Sequence, residues 1–570
     1  MSLAAGARVD GLNTVVRLPP SGAGPWPASL FRTPYGVDFE MVDVNLGRNP
    51  ATVAVVTQDV RGRGGSSGVF DFGLSDGADG AAAVAWAAAQ PWCDGTVGMH
   101  GISYAGMTQL RAARSRPAGL RAIAPARCPA WWRPLTMHEG GALCLSLAAH
   151  WMPRQAAEAP DTHDAARGAL YALALEFEQV VRVGADGLPC LDVAAARAHH
   201  ALSRLPLIDR AEYAAAPLFG RAWQELFTAP FTHTWLSDPG PPAQDAFDVP
   251  VLIVGGWYDL WAQDQVSMFA ALQRGGAAGG AQHRLVMAPT SHAPAPAGLT
   301  ALAPNAGRYD DALLVEWTQS WLAGDGGIAR DLAPVTYYVV GADRWDEAAS
   351  WPPPGVRSLP LYLQAGPDRS SGSLGVAGPD DDGAVWWVHD PSDPVPTRGG
   401  PALGLPAGPM DQDGISGGAR PDVCSFTGPP LGEPLELAGP VVATIWLATD
   451  AADTDVCVRL LDVDAAGRAV NITDGYVRGR HRFGPGTPRL RRGAVERFPV
   501  HCWNIAYRVE AGHRLRVDVC SSSFPRYDVN AGTGATPGTD RREDLRAARQ
   551  TLCTGPATPS LVVVTVRPGA

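Results

Sequence analysis

Lysine is missing from the 570 residues: all 46 basic side chains are arginine. Without a lysine amine the chain has no P-loop phosphate clamp, no pyridoxal Schiff base and no Ser-Lys dyad. Cysteine is sparse: nine residues, an odd number with no C-x-x-C pair, give no disulfide framework and no zinc knuckle, and read as mostly buried thiols. The thirteen histidines include no H-E-x-x-H. No basic run occurs, and the net charge of -11 is spread along the chain, so neither nucleic acid nor an anionic membrane surface is an expected partner. The N-terminal MSLAAGARVDGL lacks a basic stretch ahead of an apolar core, and the apolar run 81–89 is too short to span a bilayer. Together these absences lead to the expectation of a cytoplasmic protein acting on small molecules. A homo-oligomer is compatible with the sequence but not indicated by it.

What is there suffices for two or three domains with real cores, since 46% of the residues are hydrophobic. From about residue 12 to 125, β-like runs alternate with helical ones: ATVAVVTQDV, SDGADGAAAVAWAAAQPW, TVGMHGIS, AGMTQLRAARS. That order predicts an α/β domain with a largely parallel sheet. Its first part is assigned to residues 1–127 and a helical insertion to 128–240, where segments such as DTHDAARGALYALALEFEQVVRV dominate. The α/β pattern resumes over 241–350 with VPVLIVGGWYD, DQVSMFAALQRGG and HRLVMAPTSH. After WPPPG the style changes, and over 351–570 alternating segments such as HRLRVDVC predict an antiparallel β-sandwich, with Leu515, Val517 and Val519 on one face and Arg514, Arg516 and Asp518 on the other.

Three serines sit among glycines. Ser66 in GGSSG and Ser416 in GISGG match G-x-S-x-G strictly, whereas Ser103 lies in a longer G-x-S-Y-x-G spacing. Context reverses that ranking. Ser103 follows an apolar run and precedes a helix-like segment, so a tight strand-to-helix turn would expose its hydroxyl and aim helix amides at an oxyanion. Ser66 and Ser416 have no such neighbours and read as serines serving local backbone. A serine also needs a base, and the base an orienting group. Asp259 follows VLIVGGWY and His292 follows RLVMAPTS, so each stands just past a strand, in the order Ser, Asp, His. His283 instead precedes its strand, and Asp264 falls inside the next helix.

RTPYG at 32–36, QDVRGRGGSSGVF at 58–70, WCDGTVGMHGISYAGMTQ at 92–109, GGWYD at 255–259 and SSSFPRYDVN at 521–530 together resemble the bacterial cocaine esterase family of serine hydrolases. That family is similar to alpha-amino acid ester hydrolases, glutaryl cephalosporin acylases and X-prolyl dipeptidyl aminopeptidases. The resemblance implies an α/β-hydrolase domain, a helical cap and a C-terminal jelly roll. It also implies Ser103 as nucleophile, His292 as general base and acid, Asp259 as its orienter, and an oxyanion hole from the Tyr35 hydroxyl and the Tyr104 N–H. No metal or cofactor is implied. The G-x-S-Y-x-G spacing is the family's own. One departure is Thr290 in APTSH, where the family usually has tryptophan, so an altered wall beside His292 is expected.

The inferred chemistry is acyl transfer from an ester or amide of small size to Ser103 and then to water. In alpha-amino acid ester hydrolases the positions two and three after the aspartate are acidic and pair with the substrate ammonium. Here they are Trp261 and Ala262, which argues against recognition of a cationic amine. Trp131, Trp132, Trp151, Trp257, Tyr258 and Trp261 are candidates to line an apolar acyl pocket. The favoured reading is an esterase for apolar or aromatic acyl groups. An amidase or acylase, an X-prolyl dipeptidyl peptidase-like activity, an acyltransferase, and a binding protein with an inactive site are the alternatives.

Overall fold

The computed structural model describes residues 2–20, 22–38, 52–130, 137–160, 162–184, 188–199, 203–228, 248–274, 282–324 and 327–568. Its N-terminal sheet is built from β1 (Ser2–Val9), β2 (Leu12–Leu18), β3 (Trp26–Thr33), β4 (Ala54–Asp59), β5 (Cys93–Ile102), β6 (Leu120–Ala126), β7 (Leu252–Gly256), β8 (Arg284–Ala288), β9 (Val335–Val339) and β10 (Arg344–Ala348). The spatial order of these ten strands is β1-β2-β4-β3-β5-β6-β7-β8-β9-β10. From β4 to β9 all neighbours run parallel, and the outer pairs at both edges are antiparallel. Central strands covered on both faces need continuous apolar sequence, and AVV in β4 and LIV in β7 are buried throughout.

Helices α1 (Asp76–Ala88) and α2 (Tyr104–Arg114) pack on the sheet and on each other. Between β6 and β7 the described residues are mainly helical, with α3 (Leu145–Ala157), α4 (Asp164–Glu176), α5 (Val193–Ala198) and α6 (Pro217–Thr228). The helix expected through VVRV ends earlier, at Glu176, and Val181–Val183 pairs instead with Pro189–Leu191. β-Branched residues favour that extended state. A second hairpin pairs His138–Glu139 with Ala142–Leu143. Helices α7 (Ala262–Arg274) and α8 (Ala312–Leu322) complete the cover.

The C-terminal sheet contains β11 (Arg357–Ala365), β12 (Ser371–Gly375), β13 (Ala384–His389), β14 (Cys424–Thr427), β15 (Leu435–Thr449), β16 (Asp455–Val463), β17 (Ala469–Arg478), β18 (Glu496–Val509), β19 (Arg514–Cys520), β20 (Ala548–Cys553) and β21 (Leu561–Arg567). Its path is β13-β20-β15-β21-β11-β12-β14-β19-β16-β17, with β18 paired to β15. Among the described residues the pairs are antiparallel apart from β12 with β14. In β19 the alternation holds for Leu515, Val517 and Val519, yet Asp518 on the other face is also buried, taking the Ser425 hydroxyl at 2.6 Å. Val395, Ile415 and Val423 pack with Cys457 and Cys520, while Arg514 and Arg516 of the same face stay half-buried.

One apolar cluster runs through both sheets, from Val97 and Ile253 to Val500 and Val566. At the junction the Val340 N–H donates to the Ala506 carbonyl at 3.0 Å, and the Arg508 N–H returns to Val340 at 2.8 Å. Among the described residues no helix is long and apolar enough to cross a membrane.

Candidate active site

Between β5 and α2 the chain turns at one residue. Ser103 has φ 60° and ψ -125°, a region that costs an L-residue about 1–3 kcal/mol and persists only where its surroundings hold it. The surroundings do so. Its N–H donates to the Ala126 carbonyl at the end of β6, at 2.9 Å. At Gly106 a Cβ would lie 2.9 Å from Cys128 Cβ and 3.1 Å from the Ala126 carbonyl oxygen, so the last glycine of the motif lets α2 lie against the chain leaving β6. Tyr104 is the first helical residue, and its N–H, with no carbonyl one turn back, is available to an anion. Its phenol is buried, and burial followed by the Asp76 charge pushes it well above the ordinary value.

Two strands away, β7 and β8 stay in contact past their ends. The Trp257 N–H donates to the Ala288 carbonyl at 2.9 Å and the Tyr258 N–H to the Thr290 carbonyl at 3.1 Å. A Cβ at Gly256 would sit 2.4 Å from that Thr290 oxygen, so only glycine allows the approach. The result joins Asp259 and His292. Fully buried Asp259 accepts the His292 Nδ1 hydrogen at 2.7 Å through Oδ2 and the Trp261 N–H at 2.9 Å through Oδ1. With Nδ1 committed, Nε2 is the nitrogen left for a reacting proton. The Trp261 ring packs edge-on against the imidazole, centroids 5.2 Å apart. Thr290 gives its carbonyl to the backbone, and the aromatic ring beside His292 is that of Trp261.

Tyr35 lies just past β3, its N–H on the Thr33 hydroxyl at 3.1 Å. Its phenol stands near the Ser103 hydroxyl and accepts the Trp151 indole N–H at 3.3 Å. Burial raises its pKa above the ordinary 10.0, against the pull of that indole and of Arg63. Among the described residues no hydrogen bond joins Ser103 to the His292 imidazole, and the Tyr35 phenol stands near the serine. Buried Arg63, which sequence reasoning did not single out, ties this corner together. Its Nε donates to the Pro34 carbonyl at 3.0 Å, Nη1 to the Gln155 carbonyl at 2.8 Å, and Nη2 to Gln155 Oε1 at 3.0 Å and Glu158 Oε2 at 3.2 Å. His150, also on α3, was missed too; burial, then Arg154 and His292, hold its pKa down at about 4, so it is neutral at ordinary pH.

The remaining candidates separate cleanly. Trp151 stands beside Tyr35 and Trp261 beside His292, while Trp131 and Trp132 lie outside the described residues. Trp257 donates to the Tyr338 carbonyl at 2.8 Å and packs on Trp351, and Tyr258 is 1% exposed, so both belong to the core between the sheets. The Ser66 hydroxyl donates to the Asp59 carbonyl and accepts the Asn13 N–H, each at 2.8 Å, and Ser416 accepts from Arg516 at 3.2 Å. His283 is buried ahead of β8, and Asp264 in α7 accepts the Ala130 N–H at 3.1 Å.

Residues 8–294 match the family described as X-Pro dipeptidyl-peptidase (S15 family), and residues 327–563 the X-Pro dipeptidyl-peptidase C-terminal non-catalytic domain. The chain is similar to the cocaine esterase of Rhodococcus sp. (strain MB1 Bresler), at 30% identity over 98% of this chain and 96% of that protein. Among solved structures, an aminopeptidase from the marine sediment archaeon Thaumarchaeota archaeon matches with a TM-score of 0.74 at 22% identity, covering 99% of this chain and 96% of that one. An alpha-amino acid ester hydrolase matches with the same TM-score of 0.74 at 23% identity, over 99% of this chain and 96% of its own. At such identities these two structures speak for the fold alone.

Proposed function

This chain belongs to the X-Pro dipeptidyl-peptidase (S15) family of serine hydrolases, and from that premise we propose that it cleaves carboxylic esters of apolar or aromatic acids through an acyl-enzyme on Ser103. In this reading residues 1–127 and 241–350 form the α/β-hydrolase domain, 128–240 the cap and 351–570 a jelly roll. The observation that carries it is the buried Asp259 carboxylate on His292 Nδ1 at 2.7 Å, at the same sheet rim as the strained Ser103 turn.

Ser103 Oγ attacks the ester carbonyl carbon while His292 Nε2 takes its proton. Catalytic hydrogen bonds are often long without substrate and tighten as it binds, and the serine hydroxyl then turns to the imidazole. The imidazolium that forms is neutralised by Asp259, which stays ionised. Negative charge growing on the carbonyl oxygen is met by the Tyr104 N–H and the Tyr35 hydroxyl. Tyr35 accepts from Trp151 and can donate its own hydrogen toward that oxygen. His292 returns the proton to the departing alcohol, and water repeats the sequence on the acyl-enzyme. With Trp261 and Ala262 following the aspartate, no carboxylate from those positions awaits a substrate amine.

A panel of matched esters and amides with Ser103→Ala as control tests this. Turnover of esters with apolar or aromatic acyl groups, abolished by the substitution, is expected. A preference for amides would instead favour an acylase, and turnover that survives in Ser103→Ala would remove the proposal.

A further inference from the structure

Beyond Trp261 lies a cavity of about 620 Å³. Its walls come from three parts of the chain: the His138–Glu139 hairpin with Leu147 of α3, Leu260 and Trp261 after the buried aspartate, and Leu403, Phe483 and Trp503 of the C-terminal region. Trp261 is shared. Its ring and the His292 imidazole pack edge to face with centroids 5.2 Å apart, the residue also lines the cavity, and its backbone N–H is anchored on Asp259. A single indole thus partitions the imidazole from a space large enough for a sizeable organic group, well beyond what a methyl or ethyl substituent needs.

The ionic side chains of this wall already have partners, Asp264 through the Ala130 N–H at 3.1 Å. Glu139 accepts from the Trp503 indole at 2.6 Å and from Arg526 at 2.9 Å, and also from the Tyr527 hydroxyl. Arg526 reaches Asp474 at 2.6 Å, and Arg482 reaches Glu496 at 3.1 Å. Burial keeps His138 and His481 neutral, each at about 4. A charged substrate group would have to compete with these pairs, whereas an uncharged apolar one meets Leu147, Leu260, Leu403 and Phe483 and displaces only water.

We infer that this cavity is a second compartment of the substrate site, taking a large uncharged apolar group of the ester, with Trp261 as the partition that sets which groups enter. The inference rests on the esterase reading above. The group can come from the acid or from the alcohol, and two series of substrates distinguish them: p-nitrophenyl esters from acetate to decanoate, and acetates of alcohols from ethanol to 2-naphthol.

The experiment measures kcat/KM over both series for the unaltered protein, Leu403→Trp, which fills the cavity from the far wall, and Trp261→Ala, which removes the partition. The long-to-short ratio is expected to fall about tenfold in Leu403→Trp, the effect of losing burial of two or so methylenes, and to rise in Trp261→Ala. The series that responds identifies which half of the ester enters. A mere role for Trp261 in positioning His292 would lower all substrates equally and leave the ratio unmoved. Ratios within twofold of the unaltered protein in both folded variants, with ester turnover still dependent on Ser103, would overturn the compartment and leave the esterase standing. Turnover independent of Ser103 would overturn the esterase itself.

Discussion

The Tyr35 phenol accepts a hydrogen from Trp151 and stands near Ser103. A phenol can stabilise an oxyanion only while it keeps its proton, and burial, by raising the Tyr35 pKa, secures this. Tyr35→Phe keeps the ring and removes the donor; kcat for a simple ester is expected to drop about 100-fold with KM little changed. A change in KM alone would assign Tyr35 to ground-state binding. The positions of Ser103, Asp259 and His292 just past strand ends were legible in the sequence because each follows an apolar run, so the order of elements places them at one rim. Arg63 was not legible. RGRGG looks like solvated charge, and its partners Pro34 and Gln155 stand 29 and 92 residues away, where no local pattern points.

At the scale of elements, SSSFPRYDVN proves to be a staple between the helical insertion and the C-terminal sheet. Arg526 joins Glu139 of the hairpin to Asp474 of β17, at 2.9 and 2.6 Å. Asp528 accepts the Leu143 N–H and pairs with Arg478, each at 2.8 Å, and Arg478 pairs in turn with Asp455. Arg526→Met would bury two carboxylates without their cation, which costs about 3–5 kcal/mol. Urea unfolding reads this as a lowered midpoint, and an unchanged midpoint would show the network to be dispensable. The alternation of α and β elements was readable because periods 2 and 3.6 differ. The β1–β2 hairpin was not read, although Asp10 and Gly11 both take positive φ, 50° and 83°, as a tight hairpin turn requires. Asp518 departs from the solvated face that the alternation implies because it accepts the Ser425 hydroxyl of neighbouring β14, a partner invisible to a strand's own pattern.

For the whole molecule, the shared core predicts that residues 1–350 do not fold alone. Removing the remainder uncovers Tyr337, Val340 and Trp257, which pack against the C-terminal part, and the product should be insoluble; soluble, active material would refute this. Burial also holds His100, His138, His150, His283 and His481 at about 4, against 6.5 for the free side chain. Between those values the unfolded chain takes up protons that the folded one does not, so stability is full above 6.5 and is lost as pH falls toward 4. Asp59, Asp76 and Glu139 are pushed up by burial and act with opposite sign, but each has donors that hold its charge. A lower melting temperature at pH 5 than at pH 7 is therefore expected, and equal values would contradict it.

The account turns on Ser103 being made nucleophilic by His292, itself held by Asp259. Labelling the folded protein with a fluorophosphonate and mapping the adduct by mass spectrometry measures this directly. One adduct on Ser103 is expected, absent in Ser103→Ala and formed far more slowly in His292→Ala. No adduct at Ser103, or labelling of Ser66 or Ser416 in its stead, would contradict the account.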